Sequence, residues 1–151
     1  MDQITVLVCS TLHSVSPAGR AVIAALAECG GVFGTAPFFA IRLGFRDRHQ
    51  LARLLAYDGL PPLQELAAWI RMLGWLLEWE QRGTALCRLA LRRGADPAAY
   101  YHTVNRLTGL SWSEVRGRGV AWVLWQLREQ CEAARVRLHL TVPITRGASE
   151  A

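Results

Sequence analysis

The stretch Ala40-Ile41-Arg42-Leu43-Gly44-Phe45-Arg46-Asp47 is the most informative run in this chain of 151 residues. An apolar, helix-compatible segment stops at a glycine, the residue that takes up a left-handed turn without steric cost. Asp47 then supplies a side-chain oxygen able to cap a new helix. Further along, Ala90-Leu91-Arg92-Arg93-Gly94-Ala95-Asp96 repeats the arrangement. Sliding the chain along itself by 50 positions places Ala40, Arg42, Gly44, Gly59 and Leu60 on Ala90, Arg92, Gly94, Gly109 and Leu110. Phe39, Ile41, Leu51 and Leu54 fall on Leu89, Leu91, Tyr101 and Val104. Both glycine pairs sit where a helix must end and the chain must turn tightly, so the economical reading is two copies of one helix-turn-helix module.

Working outward, Ser16-Pro17 opens a helix with a capping oxygen followed by a proline at the first helical position, and that helix runs to Gly30-Gly31. Thr35-Ala36-Pro37 repeats the signal for a short helix ending at Gly44. From Asp47 to Gly59 a third helix carries Leu51, Leu54 and Leu55 on one face and Arg48, Gln50 and Arg53 largely on the other. Pro61-Pro62 introduces a long helix over residues 63–82, apolar around so much of its circumference that it must be buried on more than one side. Gly83-Thr84-Ala85 echoes Gly34-Thr35-Ala36, and a second pair of helices follows, ending near Arg93 and Leu107. A helix over residues 120–134 comes next.

Two β-strands are also expected: the β-branched run Ile4 to Cys9, and Val136-Arg-Leu-His-Leu-Thr-Val142, which alternates with period two. They would pair as a small two-stranded sheet formed by the termini. The expected fold is therefore mainly α, a single compact unit over residues 1–151. Its parts are a first helix-turn-helix module at 16–62, a linker helix at 63–82, a second module at 83–119, and a C-terminal helix and strand at 120–151.

Composition narrows the classes. Hydrophobic residues make up 52% and charged residues 19%, which excludes a disordered chain or a highly charged coiled coil. All 17 basic residues are arginine, against 12 acidic ones, for a net charge of +5. Every cation is thus a planar fork suited to phosphate, carboxylate or guanine. Apolar runs are broken by charges well short of the roughly 18 residues of a membrane span, and the N-terminus lacks the basic region of a leader. Cys9, Cys29, Cys87 and Cys131 show no zinc-ligand spacing. A cytoplasmic protein with reduced, mostly buried thiols is expected, away from the membrane and with no metal or other cofactor.

The motifs together resemble a known family. Gly44-Phe45-Arg46-Asp47, followed by Leu51, Arg53 and Leu55, is similar to the GF-x-D turn and recognition helix of the AraC/XylS transcriptional regulators. Leu89-Ala90-Leu91-Arg92-Arg93-Gly94 is similar to the helix before the family's second turn. Thr108-Gly109-Leu110-Ser111-Trp112-Ser113-Glu114-Val115-Arg116 is similar to its closing TG-x-(S/T)-P-SE-Y-R signature. The resemblance runs from Ala36 to Arg116 and is divergent. Trp112 stands at the signature proline, Ala95 replaces the aromatic of the second turn, and that turn is one residue shorter. Only 35 residues precede Ala36, so a separate sensor domain is not expected.

The resemblance implies a DNA-binding transcriptional regulator that inserts two recognition helices into the major groove of double-stranded DNA. Arginine can bond guanine in a bidentate way, and glutamine or asparagine suits adenine. On the first helix the implied contacts are Arg46, Arg48, His49, Gln50 and Arg53; on the second they are Tyr100, His102, Asn105 and Arg106, with Arg92 and Arg93 on phosphates. From Gly83 to Gly119 six arginines face Asp96 and Glu114, and from Ala36 to Pro62 four face Asp47 and Asp58, so positive charge concentrates in the modules. The alternative is a degenerate helix-turn-helix scaffold acting as a homodimer or as a small-ligand module. In that case Trp69, Trp75, Trp79, Trp122 and Trp125 would line an aromatic pocket for a small-molecule effector. No nucleophile–base pair, carboxylate dyad or phosphate-binding glycine loop is evident, so an enzyme is not expected.

Overall fold

The computed structural model describes residues 2–141, with side chains as far as Arg137. Among the described residues there are nine helices: α1 (Gln3–Thr11), α2 (Pro17–Glu28), α3 (Ala36–Arg42), α4 (Arg48–Tyr57), α5 (Leu63–Arg82), α6 (Leu86–Arg92), α7 (Pro97–Thr108), α8 (Trp112–Arg118) and α9 (Val120–Thr141). Most of their ends follow the local chemistry of the sequence. The Ser16 hydroxyl accepts from the Gly19 N–H at 3.1 Å, Asp47 caps α4 and Asp96 caps α7. Gly83 and Gly109 close α5 and α7 in the left-handed conformation.

α5 is the axis of the molecule. Leu63, Leu66, Ala67, Ala68, Trp69, Ile70, Met72, Leu73, Trp75 and Leu76 are all buried, on every side of the helix. Around it pack α1, α2, α6, α7, α8 and α9. α2, α3 and α4 form one unit at its start, and α6, α7 and α8 form another at its end. Trp69 is buried, and its indole N–H donates to Gln130 of α9 at 3.0 Å. Trp112 is also buried, and its Nε1 has no partner among the described residues.

The structure corrects the expected terminal sheet. Residues 4–9 belong to α1, whose buried Thr5 and Val8 are followed by buried Leu12, a helical rather than alternating pattern. All of Ile4 to Cys9 except Thr5 is apolar, so alternation was never present to specify a strand, and packing against α5 and α9 overrides the β-branched preference. At the other end, α9 continues past residue 134 to Thr141. No glycine or proline interrupts it after Val120 until Pro143, and extending an existing helix is easier than nucleating a strand. Val142 lies outside the described residues. The chain's two ends do meet, but as α1 on α9. Trp112–Arg118 forms a helix of its own, with Ser111 accepting from the Glu114 N–H at 3.3 Å.

Three elements are tied at one polar knot. The Ser16 hydroxyl donates to Asp58 Oδ2 at 2.7 Å, and Arg135 of α9 donates to the Asp58 carbonyl at 2.6 Å and to Ser14. Gly59, at φ 70°, lets the Arg135 stem pass over the backbone, where a Cβ would lie 2.7 Å from its Cγ. Gly19 makes room for the Asp58 carboxylate: a Cβ there would lie 2.0 Å from Oδ2 and 2.7 Å from Val15 Cγ1. Alanine inside a helix ordinarily gains roughly 1 kcal/mol over glycine, but here crowding of about 1–3 kcal/mol opposes it. Gly19→Ala is expected to lower the urea midpoint. A midpoint that rises would show that the Asp58 carboxylate moves aside without cost.

Candidate nucleic-acid interface

The chain leaves α3 and α6 through the same hydrogen bonds. Phe45 N–H reaches the Ala40 carbonyl at 3.0 Å and Gly44 N–H reaches Ile41 at 3.0 Å; Ala95 reaches Ala90 at 3.0 Å and Gly94 reaches Leu91 at 3.0 Å. Gly44 at φ 86° and Gly94 at φ 66° make these turns possible. Ala40 and Ala90 are fully buried at matching places on the two short helices. α3 and α6 span matching residues at an offset of 50.

Beyond the turn the register changes. Two residues, Phe45 and Arg46, separate Gly44 from Asp47, whereas Ala95 alone separates Gly94 from Asp96. α7 therefore matches α4 at an offset of 49, which places buried Leu55 on buried Val104, Leu51 on Tyr100 and Arg53 on His102. This corrects the uniform offset of 50, which had paired Leu51 with Tyr101 and Leu54 with Val104.

The outward faces follow from this register. At about 100° per residue, His49, Arg53 and Ala56 of α4 lie opposite Leu51 and Leu55. The matching positions of α7 are Ala98, His102 and Asn105, with Arg106 one step on. Arg46, Arg48, His49, Gln50, Arg53, Arg92, Arg93, His102, Asn105 and Arg106 are all exposed. Arg48 sits at the flank of α4 and, with His49, borders an apolar groove of about 520 Å³ floored by Leu51, Leu55 and Leu63.

Three of the expected contacts carry other duties. Tyr100 holds the inward position of Leu51 and stacks on Trp75, centroids 4.1 Å apart and planes at 17°. Its neighbour Tyr101, 41% exposed, is the tyrosine turned to solvent. Gln50 accepts the Arg46 N–H on Oε1 at 2.6 Å, which ties up the oxygen that bidentate adenine recognition needs. Arg46 lies 3.5 Å from Asp47 Oδ2. By contrast, Arg48, Arg53, Arg92, Arg93 and Arg106 make no side-chain hydrogen bond or ion pair among the described residues. Sequence reasoning passed over Tyr57, 86% exposed on the last turn of α4 at the position equivalent to Arg106. An aromatic residue on the outward face of an otherwise polar helix was the available signal.

The tryptophans do not gather around one cavity. Trp69 is buried and bonded to Gln130, Arg116 covers Trp79 at 4.5 Å and Arg118 covers Trp122 at 5.1 Å, and Trp125 is half-exposed. Trp75 alone of the five borders a described cleft. The thiols are not all enclosed: Cys87 is exposed, while burial pushes Cys131 up to about 11. No cluster of three His, Cys, Asp or Glu able to hold a metal occurs among the described residues. No described helix is long and apolar enough to cross a membrane.

With this geometry in hand, comparison with known proteins finds no matching family model, no matching curated protein and no matching solved structure. What the described residues show is an all-helical arrangement packed around the central helix α5.

Asp47 governs the start of α4. Its carboxylate accepts the Gln50 N–H at 2.8 Å, and that bond, helped by nearby Arg46, holds it below its ordinary value of 3.8. A carboxylate lowered by folding stabilises fully above its unfolded value and ceases to do so as pH falls through the folded one. Asn caps without titrating. The stability of wild type relative to Asp47→Asn should be flat above about pH 5 and decline below it, as read by thermal unfolding at stepped pH. A difference that does not move with acid would remove the carboxylate from the cap's energetics.

Proposed function

We propose that the chain is a transcriptional regulator that binds double-stranded DNA by laying α4 and α7 in successive segments of the major groove. The supporting observation is the contrast within each unit. α3 and α6 each bury an alanine, while α4 and α7 carry uncommitted arginines: Arg53 on the outward face of α4 with Arg48 at its flank, and Arg106 with His102 and Asn105 on α7. Uncommitted guanidinium groups can displace counterions from phosphate, and those on the outward face can reach base edges. α4 is the richer reader; α7, with Ala98 and Ala99 in its first turn, contributes chiefly position.

Electrophoretic shift against pooled duplex fragments tests this. Wild type should bind with strong salt dependence. Arg53→Ala should cost about 1–3 kcal/mol with relaxed sequence preference, while Arg92→Ala should weaken all duplexes alike and reduce the salt slope by about 1. Gln50→Ala should act mainly on thermal stability. Absence of any shift at about 10⁻⁴ M protein in low salt, the weak end of non-specific affinity, would sink the reading.

A second reading, a self-associating scaffold, draws on Ile41 and Leu91, which occupy matching positions in α3 and α6 and are 62% and 65% exposed. Sedimentation distinguishes them: a stable dimer without DNA affinity favours the scaffold.

A further inference from the structure

Between the two units lies a cleft of about 520 Å³, walled by Val32, by Arg71 and Trp75 of α5, and by Arg93, Ala99 and Tyr100 of the second unit. Arg71 is half-buried and donates to the Gly31 carbonyl at 3.3 Å. Arg93 reaches across from the second unit to Gly30, its Nη2 3.4 Å from where a Cβ would stand. Neither makes an ion pair among the described residues. Burial lowers the proton affinity of Arg71; Tyr100 partly opposes this, and the positive charge of Arg106 adds to it.

Among the described residues no acidic side chain lines this cleft itself, but Asp2 and Glu78 line an adjoining recess that shares Val32, Arg71, Trp75, Arg93 and Tyr100 with it. Glu78 is engaged there by Arg82 at 3.8 Å and by the Thr84 hydroxyl at 3.3 Å. A partly desolvated cation beside like charges is unfavourable until an anion joins it. Facing the guanidinium groups, the stacked pair of Trp75 and Tyr100 offers an apolar wall, and the volume is that of a small-molecule site.

We propose that this cleft binds a small organic anion, a carboxylate or phosphate on a flat apolar body, with its oxygens on Arg71 and Arg93 and its body against Trp75 and Tyr100. Such a ligand bridges α5 and the second unit, and through Arg71 and Val32 it also touches the turn after α2. Bound there, it fixes α7 relative to the first unit. The binding does not depend on the DNA reading; the coupling does. A DNA phosphate could meet the same arginines, but a sugar–phosphate backbone leaves the apolar wall empty.

Calorimetry on the full chain with 1-naphthoate, 1-naphthyl phosphate, uncharged 1-naphthamide and inorganic phosphate tests the site. Both naphthyl anions should bind at least tenfold more tightly than the amide or inorganic phosphate. Arg71→Met and Arg93→Met should each weaken naphthoate binding at least tenfold, with Arg88→Met, outside the cleft, unchanged. Circular dichroism checks folding, and the exposed Arg93 carries the test if Arg71→Met does not fold. Equal binding of acid and amide, or no binding of either naphthyl anion, overturns the proposal. Inorganic phosphate binding as tightly as naphthoate, or Arg71→Met weakening duplex DNA while naphthoate does not bind, overturns it in favour of a bare phosphate contact. Naphthoate binding without any DNA affinity leaves the cleft standing and removes the DNA reading.

Discussion

Burial of α5 on all sides is the constraint from which the rest of the arrangement follows. A helix of 20 residues is about 30 Å long and can bury its whole circumference only if other elements enclose it. Two units of three helices, one at each end, together with α1 and α9 along the remainder, supply that enclosure. Neither unit has a self-sufficient core, because α2, α6, α7 and α8 all direct apolar residues onto this axis. The relative placement of α4 and α7 is therefore a property of α5 packing rather than of a flexible connection. The same dependence explains why the polar knot at Asp58 lies where it does: it anchors the C-terminal end of α4, beside the start of α5, to both α2 and α9.

The two turns show how little sequence is needed to define a helix crossing, and how much a single residue then matters. A left-handed glycine and a buried alanine reproduce the same hydrogen bonds at 3.0 Å in both units, although Phe45 in one is Ala95 in the other. Removing one residue before the capping aspartate leaves the crossing intact but moves every later side chain of α7 by one position, which is about 100° around the helix. Packing then selects which residue faces the core, and Tyr100 takes the place that Leu51 holds in α4.

Much of this was legible in the chain. Prolines and small polar caps marked the starts of α2 and α5, Gly83 and Gly109 marked helix ends, and Gly44 and Gly94 marked the left-handed turns after α3 and α6. These signals are local, since they concern backbone conformations that few residues can adopt. What escaped was non-local. The β-branched run of α1 becomes helical because α2, α5 and α9 pack on it and bury Thr5 and Val8, and Val136 to Thr141 stay helical because nothing breaks α9. Gln50 reads as a base-contacting residue until its own backbone neighbourhood claims its oxygen. Arg71 carried no mark at all: on a helix it is one more arginine, and only the approach of Gly31 and Arg93 isolates it.

The missing residue in the second turn also accounts for the asymmetry between the units. In α4, the inward position holds Leu51, a side chain that packs and leaves nothing polar behind. In α7, the inward position holds Tyr100, which stacks on Trp75 and lines the cleft. Arg71 and Arg93 line the same cleft. The register that sets Tyr100 on the inward side of α7 thus also brings it to the cleft. A one-residue difference between two similar turns is thus felt twice, in the side chains that α7 turns outward and in the one that it sends to the cleft.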